Sequence, residues 1–418
     1  MDQKRGPLEG IRVLELGSSV AGPFCGRLFA DFGAEVIKVE VAEGDAVRSM
    51  GKRFNGASLY AASIFRNKRL ISIDIKTEEG KGLVRELAKR CDIVVENFRP
   101  GTLERLGLGY DVLSNDNPKL ILVRISGFGQ TGPYADRAGY GAIGEALSGL
   151  RHLTGDPDRA PSRIAASVTD EITGIYGCMG AMMALWSRQT TGQGQVVDAT
   201  LYESAFSLIE PHVPAYAKLG VIAARAGARL PDSAPNNTYV TRDERYIHIT
   251  AMGDSVFVRL ARAIGRVEFA DDARFKTQVA RSANEEELDQ IIGDWVKARN
   301  LDEVVAALNG EGVPSAPIYT VEDIFKDEHF KAREMLVELD DPALGSVVVA
   351  GVVPKLSATP GVLRHAGKTI GEDTAAVLRD VLDLPDPEIE RLLAAGVVHA
   401  SSTPASTTST SSVDAIAA

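Results

Sequence analysis

Asp170 is the acidic residue whose position in the sequence best suits covalent chemistry. It lies in the segment SVTDEITG, just before a glycine-rich apolar stretch that predicts a helix over Thr173–Arg188. A helix N-terminus carries positive potential and free N–H groups, so a carboxylate there stays ionised when partly buried and can act as a nucleophile. The alternative interpretation is structural, since Thr169 or Asp170 can cap the same helix.

Basic residues at the ends of predicted strands are a second candidate group. Arg66, Lys68 and Arg69 precede one strand, whereas Arg99 and Arg105 follow another. On an acidic protein, such positions would meet the phosphates of a ligand. Each residue taken alone is more typical of a solvated surface charge.

Other kinds of chemistry lack their motifs. The six histidines are isolated, with no HExxH and no GxSxG pattern, so neither a zinc site nor a catalytic triad is indicated. The cysteines are widely spaced, which predicts buried thiols rather than disulfides or metal ligands: Cys25, Cys91 and Cys178. The first turn, GSSVAG over Gly17–Gly22, lacks the GxGxxG pattern of dinucleotide-binding domains, which disfavours a nicotinamide or flavin cofactor.

Composition excludes several classes of protein. The chain has 418 residues, with 46 Lys+Arg against 57 Asp+Glu and a formal charge of −11, which disfavours binding to nucleic acid or to an anionic membrane. There is no apolar run of about 18 residues and no pattern of a secretory signal. We therefore expect a cytoplasmic protein, long enough for two domains.

The first 130 residues alternate between strand and helix patterns. Strands are predicted at 11–16, 35–40, 70–74, 91–96 and 120–125, and helices at 23–32 and 78–90. This alternation implies right-handed crossovers and a parallel sheet, hence an α/β fold whose ligand lies beyond the carboxyl ends of the strands.

Gly174, Gly177 and Gly180 recur in the apolar helix and indicate close approach by another helix, a ligand or a partner subunit.

Later segments predict a second, smaller domain. The expected elements that follow are helices at 199–210, 255–264, 285–297, 301–308, 374–382 and 386–395, and strands at 245–250 and 347–353. The Ser/Thr/Ala-rich end, Ser401–Ala418, predicts a disordered tail.

Several longer stretches, in this order, carry a family resemblance: PLEGIRVLELGSSVAGPFCGRLFADFGAEVIKVE, NKRLISIDIKTEEGK, VVENFRPGTLERLGLGY, ISGFGQTGPY, TTGQGQVVDATLYES and PKLSATPG. Together they resemble the family III CoA-transferases, which include formyl-CoA:oxalate, carnitine and bile-acid CoA-transferases, with α-methylacyl-CoA racemase as a relative. The resemblance covers about Pro7–Val398.

The resemblance implies a Rossmann-like, parallel-sheet large domain that the C-terminal segment completes, with a smaller α+β domain inserted into it. The implied boundaries are 1–220 for the first part of the CoA-binding large domain, 221–238 for a linker, 239–327 for the small domain, 328–400 for the return linker and the rest of the large domain, and 401–418 for the tail. Two such ring-like chains would interlock as a homodimer.

The resemblance also implies the site. Asp170 matches the nucleophilic aspartate, which would form an acyl anhydride and then an aspartyl-CoA thioester. Positions that match CoA contacts are Ile73, Lys76, Asn97, Phe98, Arg99 and Arg105, and those that match the substrate pocket are Val20, Tyr140 and Gly253. The partners would be an acyl-CoA and a free carboxylic acid, with CoA as co-substrate, no permanently bound cofactor and no metal.

Departures from the family narrow the activity. Val20 replaces a glutamine of the oxalate enzyme, which disfavours oxalate, and a single Gly253 replaces its glycine-rich lid. The favoured pair is succinyl-CoA with a small dicarboxylic acid, although transfer within one acid stays open. Arg163 would hold a distal carboxylate or lie on the surface. There are two alternatives. One is a racemase, which has a His-Asp pair where this chain has Tyr140 and Gly141. The other is a non-catalytic binder of CoA esters.

Overall fold

The strands predicted near the N-terminus pair in one sheet of the computed structural model, which describes residues 6–401. The strands of the described residues are β1 (Arg12–Glu15), β2 (Glu35–Glu40), β3 (Arg53–Phe54), β4 (Ala57–Ser58), β5 (Arg69–Ile73), β6 (Ile93–Glu96), β7 (Ile121–Ser126), β8 (Val196–Thr200), β9 (Asn236–Val240), β10 (Tyr246–Thr250), β11 (Ser315–Pro317), β12 (Leu336–Asp341), β13 (Gly345–Ala350) and β14 (Val398–His399).

Seven of these strands form the main sheet, in the order β14-β5-β2-β1-β6-β7-β8. All neighbours are parallel except β14, which runs antiparallel to β5. The predicted α/β class with a large parallel sheet is therefore confirmed. Strand order reverses at β1, because the chain builds outward through β2 and β5 and then returns to add β6 on the other side. In open parallel sheets such a reversal leaves a crevice at the carboxyl ends of the two strands.

The helices of the described residues are α1 (Ala21–Asp31), α2 (Leu59–Ile64), α3 (Glu78–Lys89), α4 (Thr102–Arg105), α5 (Tyr110–Asp116), α6 (Gly141–Leu147), α7 (Leu150–Leu153), α8 (Val168–Thr191), α9 (Leu201–Phe206), α10 (His212–Leu219), α11 (Asp254–Ala263), α12 (Gln278–Ala283), α13 (Glu285–Lys297), α14 (Leu301–Gly310), α15 (Val321–Lys326), α16 (Glu328–Ala332), α17 (Thr374–Asp380) and α18 (Asp386–Ala394). Short 3-10 turns lie at Ala46–Ser49, Ser207–Ile209 and Val267–Ala270.

Two compact units contain these elements. The first consists of residues 6–148, 166–208 and 334–401, and the second of residues 149–165 and 209–333. In the second unit, β9, β10 and β11 form an antiparallel sheet whose apolar side chains pack with those of α11, α13 and α14. The domain boundaries predicted at 220, 238 and 327 stay predictions.

Helices cover both faces of the main sheet. Val13, Val36 and Val95 pack on one face with α1 and α8, while Leu14 and Ile37 pack on the other with α3, α17 and α18. Burial on both faces explains why the strands read as nearly continuous apolar runs, as parallel strands do.

The C-terminal segment contributes a strand that its sequence did not predict. Val398 and His399 form β14, and the Thr374 hydroxyl donates to the His399 carbonyl at 2.7 Å while it accepts from the backbone N–H of Ser72 at 3.0 Å. Of the predicted tail, Ser401 is described, and 402–418 lie outside the described residues.

Helix α8 begins earlier than predicted. Ser167 is its N-cap, so neither Thr169 nor Asp170 caps it, and the capping interpretation is wrong. Close approach at its glycines is confirmed and comes from the chain itself. A Cβ at Gly174 would lie 3.0 Å from the Ala21 carbonyl oxygen of α1, and one at Gly177 would lie 3.1 Å from Val123.

The helix predicted at 199–210 is in fact the end of β8 followed by α9. Thr200 ends the strand and caps the helix, because its hydroxyl oxygen accepts from the backbone N–H of Glu203 at 3.1 Å. The missed signal is the Thr-x-x-Glu spacing of a capping box.

Two of the candidate phosphate ligands have a structural role instead. Arg66 pairs with Asp31 at 2.6 Å and Lys68 with Glu15 at 2.7 Å, and both basic side chains are at most 1% exposed. They precede β5 and lie at its amino-terminal end, away from the edge where parallel sheets bind ligands. Both interpretations from the sequence, phosphate ligand and solvated charge, are wrong for this pair.

The three cysteines are free thiols, buried at Cys25 and Cys91 and half-buried at Cys178. Within residues 6–401, no helix is long and apolar enough to cross a membrane. The same residues hold no cluster of three His, Cys, Asp or Glu side chains placed to bind a metal ion.

Candidate active site

A cavity of about 240 Å³ opens at the carboxyl ends of β1, β6 and β7 in the first unit. It lies at the crevice where the strand order reverses, which is the position expected for a ligand. Five of the predicted site residues line it: Asn97, Phe98, Arg99, Tyr140 and Asp170. The structure thus brings the candidate nucleophile together with part of the candidate CoA site.

Asp170 is the third residue of α8 and is half-buried. Its carboxylate lies against Gly141, the first residue of α6. A Cβ at position 141 would overlap Oδ2 of Asp170 and would lie 2.9 Å from its Cγ. Only glycine at residue 141 leaves room for the Asp170 carboxylate where it lies. A larger residue there would displace the carboxylate.

A second carboxylate, Glu171, follows Asp170 but does not line the cavity. Burial raises the pKa of Glu171, and the nearby Arg27 acts in the opposite direction. Burial and the proximity of Arg66 lower the pKa of Arg27 to about 10. The two adjacent acids of α8 therefore lie in different environments, and Asp170 is the one that a ligand in the cavity can reach.

Tyr60 lies beside the first turn of α8. Burial raises the pKa of its phenol, as does the negative charge of Glu171, while a hydrogen bond with the Ser167 side chain acts against them. The phenol therefore stays protonated at neutral pH, close to the N-cap of the helix that carries Asp170.

Asn97 holds the loop that joins β1 to α1. Its Oδ1 accepts from the Ser18 backbone N–H at 2.7 Å, and its Nδ2 donates to the Ser18 carbonyl at 2.7 Å. The side-chain amide thus pairs with the backbone of Ser18 as a neighbouring strand would. Both residues line the cavity, so this pairing fixes one of its walls.

Two buried charged side chains, Asp45 and Lys38, also bond to the backbone of this loop. Asp45 Oδ1 accepts from the backbone N–H of Ser19 at 2.9 Å, and Lys38 donates to the Gly17 carbonyl. Ser19 has a φ of 68°, in the left-handed region that a non-glycine residue seldom adopts. The bonds from Asp45 and Lys38 stabilise a loop conformation that is unfavourable by itself.

Lys38 and Asp45 form an ion pair at 2.8 Å in which both side chains are 1% exposed. Burial alone would lower the pKa of Lys38, but Asp45, Glu15 and Glu40 raise it. Burial would likewise raise the pKa of Asp45, yet Lys38 and backbone N–H groups hold it below its usual value. Both groups are therefore ionised at neutral pH.

The other predicted CoA contacts lie outside this cavity. Ile73 lines a neighbouring cavity of about 180 Å³, which shares Ser18 and Phe98 with the first. Lys76 and Arg105 are exposed and line neither cavity. The Arg105 guanidinium donates to the Thr102 hydroxyl at 2.8 Å.

Two of the predicted substrate-pocket residues do not line this cavity. Val20 is 4% exposed and packs in an apolar cluster with Phe24 and Val47. Gly253 belongs to the second unit, where it is the N-cap of α11, and the exposed Arg163 belongs to that unit as well.

Arg137, in the loop between β7 and α6, is a cavity residue that the sequence did not predict. The glycines that flank it, Gly127 and Gly139, pack together, since a Cβ at Gly139 would lie 2.5 Å from the Gly127 Cα. Between them, Arg137 lines the cavity and stacks on the Tyr134 ring at 3.6 Å. The glycines of ISGFG and AGYG were a usable signal for such a close contact.

The chain is similar to known proteins over most of its length. The sequence model of CoA-transferase family III matches residues 8–374. The chain is 46% identical to succinyl-CoA–D-citramalate CoA-transferase of Chloroflexus aurantiacus, over 94% of this chain and 98% of that protein. It is 40% identical to the beta subunit of succinyl-CoA–L-malate CoA-transferase of the same organism, over 94% and 98%.

A solved structure has the same fold. The crystal structure of a CaiB/BaiF family protein from Brucella suis superposes with a TM-score of 0.80 at 37% identity, over 89% of this chain and 98% of that one. The match over most of the sequence and the shared fold lead to one conclusion. The chain belongs to CoA-transferase family III.

Proposed function

We propose that this protein transfers CoA from succinyl-CoA to a small dicarboxylic acid, with Asp170 as the nucleophile. The observation that carries the proposal is the position of Asp170. Its carboxylate lies in a cavity at the carboxyl ends of the sheet, in a chain of a CoA-transferase family. The two relatives named above support the choice of substrates, because citramalate and malate both carry two carboxylates.

The reaction proceeds by exchange of activated acyl bonds. The Asp170 carboxylate attacks the thioester carbonyl of succinyl-CoA, which gives a mixed anhydride and CoA thiolate. The thiolate then attacks the aspartyl carbonyl, so that succinate leaves and Asp170 carries CoA as a thioester. The acceptor carboxylate attacks this thioester and forms a second anhydride, and the released thiolate attacks its acyl carbonyl. The product is the acceptor's CoA thioester, with the Asp170 carboxylate restored.

The surrounding residues have distinct tasks in this proposal. Asn97 positions the loop at Ser18 and Ser19, whose backbone forms one wall of the cavity. Phe98 lines both cavities and would contact the CoA chain as it passes between them. Arg99, with the exposed Lys76 and Arg105 outside the cavity, would meet the phosphates of CoA, and Ile73 would contact the CoA chain in the second cavity.

Further expectations from the sequence are part of the proposal. Tyr140 would border the acyl group, because it lines the cavity. Val20, which is buried in an apolar cluster, would support the pocket without lining it. Gly253 would belong to a shortened lid. We also propose the implied domain plan, with a small domain over 239–327, and a cytoplasmic, interlocked homodimer.

The test is a transfer assay with purified protein and succinyl-CoA. The acceptors are a panel of dicarboxylic acids that includes citramalate and malate, in deuterated water, and mass spectrometry detects new CoA thioesters. We expect a new thioester without deuterium at the α-carbon, and its loss in Asp170→Ala with CoA binding retained. Deuterium incorporation without transfer would indicate an epimerase instead, and near wild-type transfer by Asp170→Ala would exclude this aspartate as the nucleophile.

A further inference from the structure

Arg137 is a cation in the cavity that the reaction scheme leaves without a task. It lines the same cavity as Asp170 and is exposed to it and to solvent. Its guanidinium stacks at 3.6 Å on the ring of Tyr134, which in turn packs edge-on against Phe128 at 6.1 Å. Among residues 6–401, no carboxylate forms an ion pair with Arg137.

The stacking prepares Arg137 for a ligand. Contact with an aromatic ring holds one face of the guanidinium, and the edge with its N–H donors stays available. A planar fork of donors matches the two oxygens of a carboxylate and binds them in parallel. Because the side chain is already restrained, a bound anion would cost it little further conformational entropy.

The chemistry proposed above requires such a group. When one carboxylate of a dicarboxylic acid reacts at Asp170, the other is left in the same cavity and needs a partner. The charged residues of the cavity lining are Asp170, Arg99 and Arg137. Arg99 follows β6 beside Asn97 and Phe98, on the side proposed for CoA. Arg137 instead lies on the segment that leads to Gly141, which touches the Asp170 carboxylate.

We propose that Arg137 binds the carboxylate that does not react, and thereby selects dicarboxylic over monocarboxylic acyl groups. This inference rests on the proposed function and adds a residue to it. In this proposal Arg137 takes the place of Arg163, the exposed arginine of the second unit, as the partner of the distal carboxylate.

The test compares two donors that differ only at the far end of the acyl group. Succinyl-CoA ends in a carboxylate, and butyryl-CoA has a methyl group in its place. The rate of CoA transfer to Asp170 is measured for each donor in a single turnover by mass spectrometry. We expect Arg137→Gln to slow the reaction of succinyl-CoA about 10- to 100-fold more than that of butyryl-CoA, the range for loss of a charged hydrogen bond. Arg137→Lys, which keeps the charge, should recover part of the preference.

Arg99→Gln is the matched control, because it removes an arginine from the same cavity on the CoA side. It should slow both donors by a similar factor. If Arg137→Gln slows both donors equally, or slows neither, the preference for succinyl-CoA is unchanged. That result would overturn the role of Arg137 while the transferase itself stands. Absence of any adduct in the wild type with either donor would instead overturn the proposed function, and this inference with it.

Discussion

The carboxylate of Asp170 occupies the space that a side chain at Gly141 would fill. A Cβ at position 141 would overlap Oδ2 and lie 2.9 Å from Cγ. Gly141 does not have a positive φ, so the requirement for glycine here comes from space and not from backbone conformation.

Gly141→Ala should therefore displace the nucleophile. We expect kcat to fall at least about 100-fold, because a shift of about 1 Å at a reacting group is enough for such a loss. Binding of CoA, measured by calorimetry, should change little. Gly82→Ala is the control, since the residue is in helix α3 and a Cβ there would meet nothing within 4 Å beyond the adjacent backbone of that helix. It should leave kcat unchanged and stabilise the fold by up to about 1 kcal/mol. Wild-type kcat in Gly141→Ala would contradict the close packing of these two residues.

Asn97 should affect substrate binding through the loop that it holds. In Asn97→Asp, an oxygen replaces the Nδ2 donor and faces the Ser18 carbonyl, so one hydrogen bond becomes a repulsion. We expect the free energy of unfolding to fall by about 1–3 kcal/mol. The KM for acyl-CoA should rise more than kcat falls, because the displaced loop lines the cavity.

The comparison for Asn97 is Asn117→Asp. That amide also donates to a backbone carbonyl, of Cys91 at 2.9 Å, but it lies outside the cavity. It should lower stability and leave KM unchanged. Equal effects of the two substitutions on KM would show that Asn97 has no special relation to the site.

The buried pair of Lys38 and Asp45 gives a prediction about pH. The pKa of Asp45 lies below its usual value in the folded wild type, so the pair stabilises the protein above about pH 4, the usual pKa of aspartate. This contribution is lost as the pH falls through the lowered pKa of the folded state.

Lys38→Met removes the main cause of that lowering and leaves Asp45 buried. Burial then raises the pKa of Asp45 above its unfolded value, so the sign reverses, and stability falls as the pH rises. Denaturant unfolding should show a loss of about 3–5 kcal/mol at about pH 8 and a smaller loss at about pH 5. The double variant Lys38→Met/Asp45→Asn should recover part of the loss at the higher pH. Equal losses at both pH values would mean that Asp45 stays ionised without Lys38.

The sequence predicts the sheet well because its strands are simple signals. Buried on both faces, they are short apolar runs between glycines and charged turns, and β2 has the predicted bounds of 35–40. Their place in the fold also follows from general rules of parallel sheets. Strand β14 escapes prediction, because two residues carry no period and are held by contacts with Ser72 and Thr374, far away in the sequence.

The site is predictable to the extent that single residues carry it. Asp170 stands out because it is an acid at the start of an apolar helix, and the family resemblance supplies Asn97 and Tyr140. The sequence cannot show that the Asn97 amide is bonded to Ser18, or that Arg137 stacks on Tyr134, since both depend on how separate loops meet. Burial of Arg66 and Lys68 escapes prediction for a related reason, because their acidic partners lie 35 and 53 residues away in the sequence.

The mass of the protein shows whether Asp170 carries CoA during the reaction. Wild-type protein and Asp170→Asn are each mixed with succinyl-CoA without an acceptor, and the unfolded chains are analysed intact and after digestion. We expect an adduct of the mass of CoA on the wild type, on the peptide that contains Asp170, and none on Asp170→Asn. An adduct on another residue, or the same adduct on Asp170→Asn, would show that Asp170 is not the residue that carries CoA.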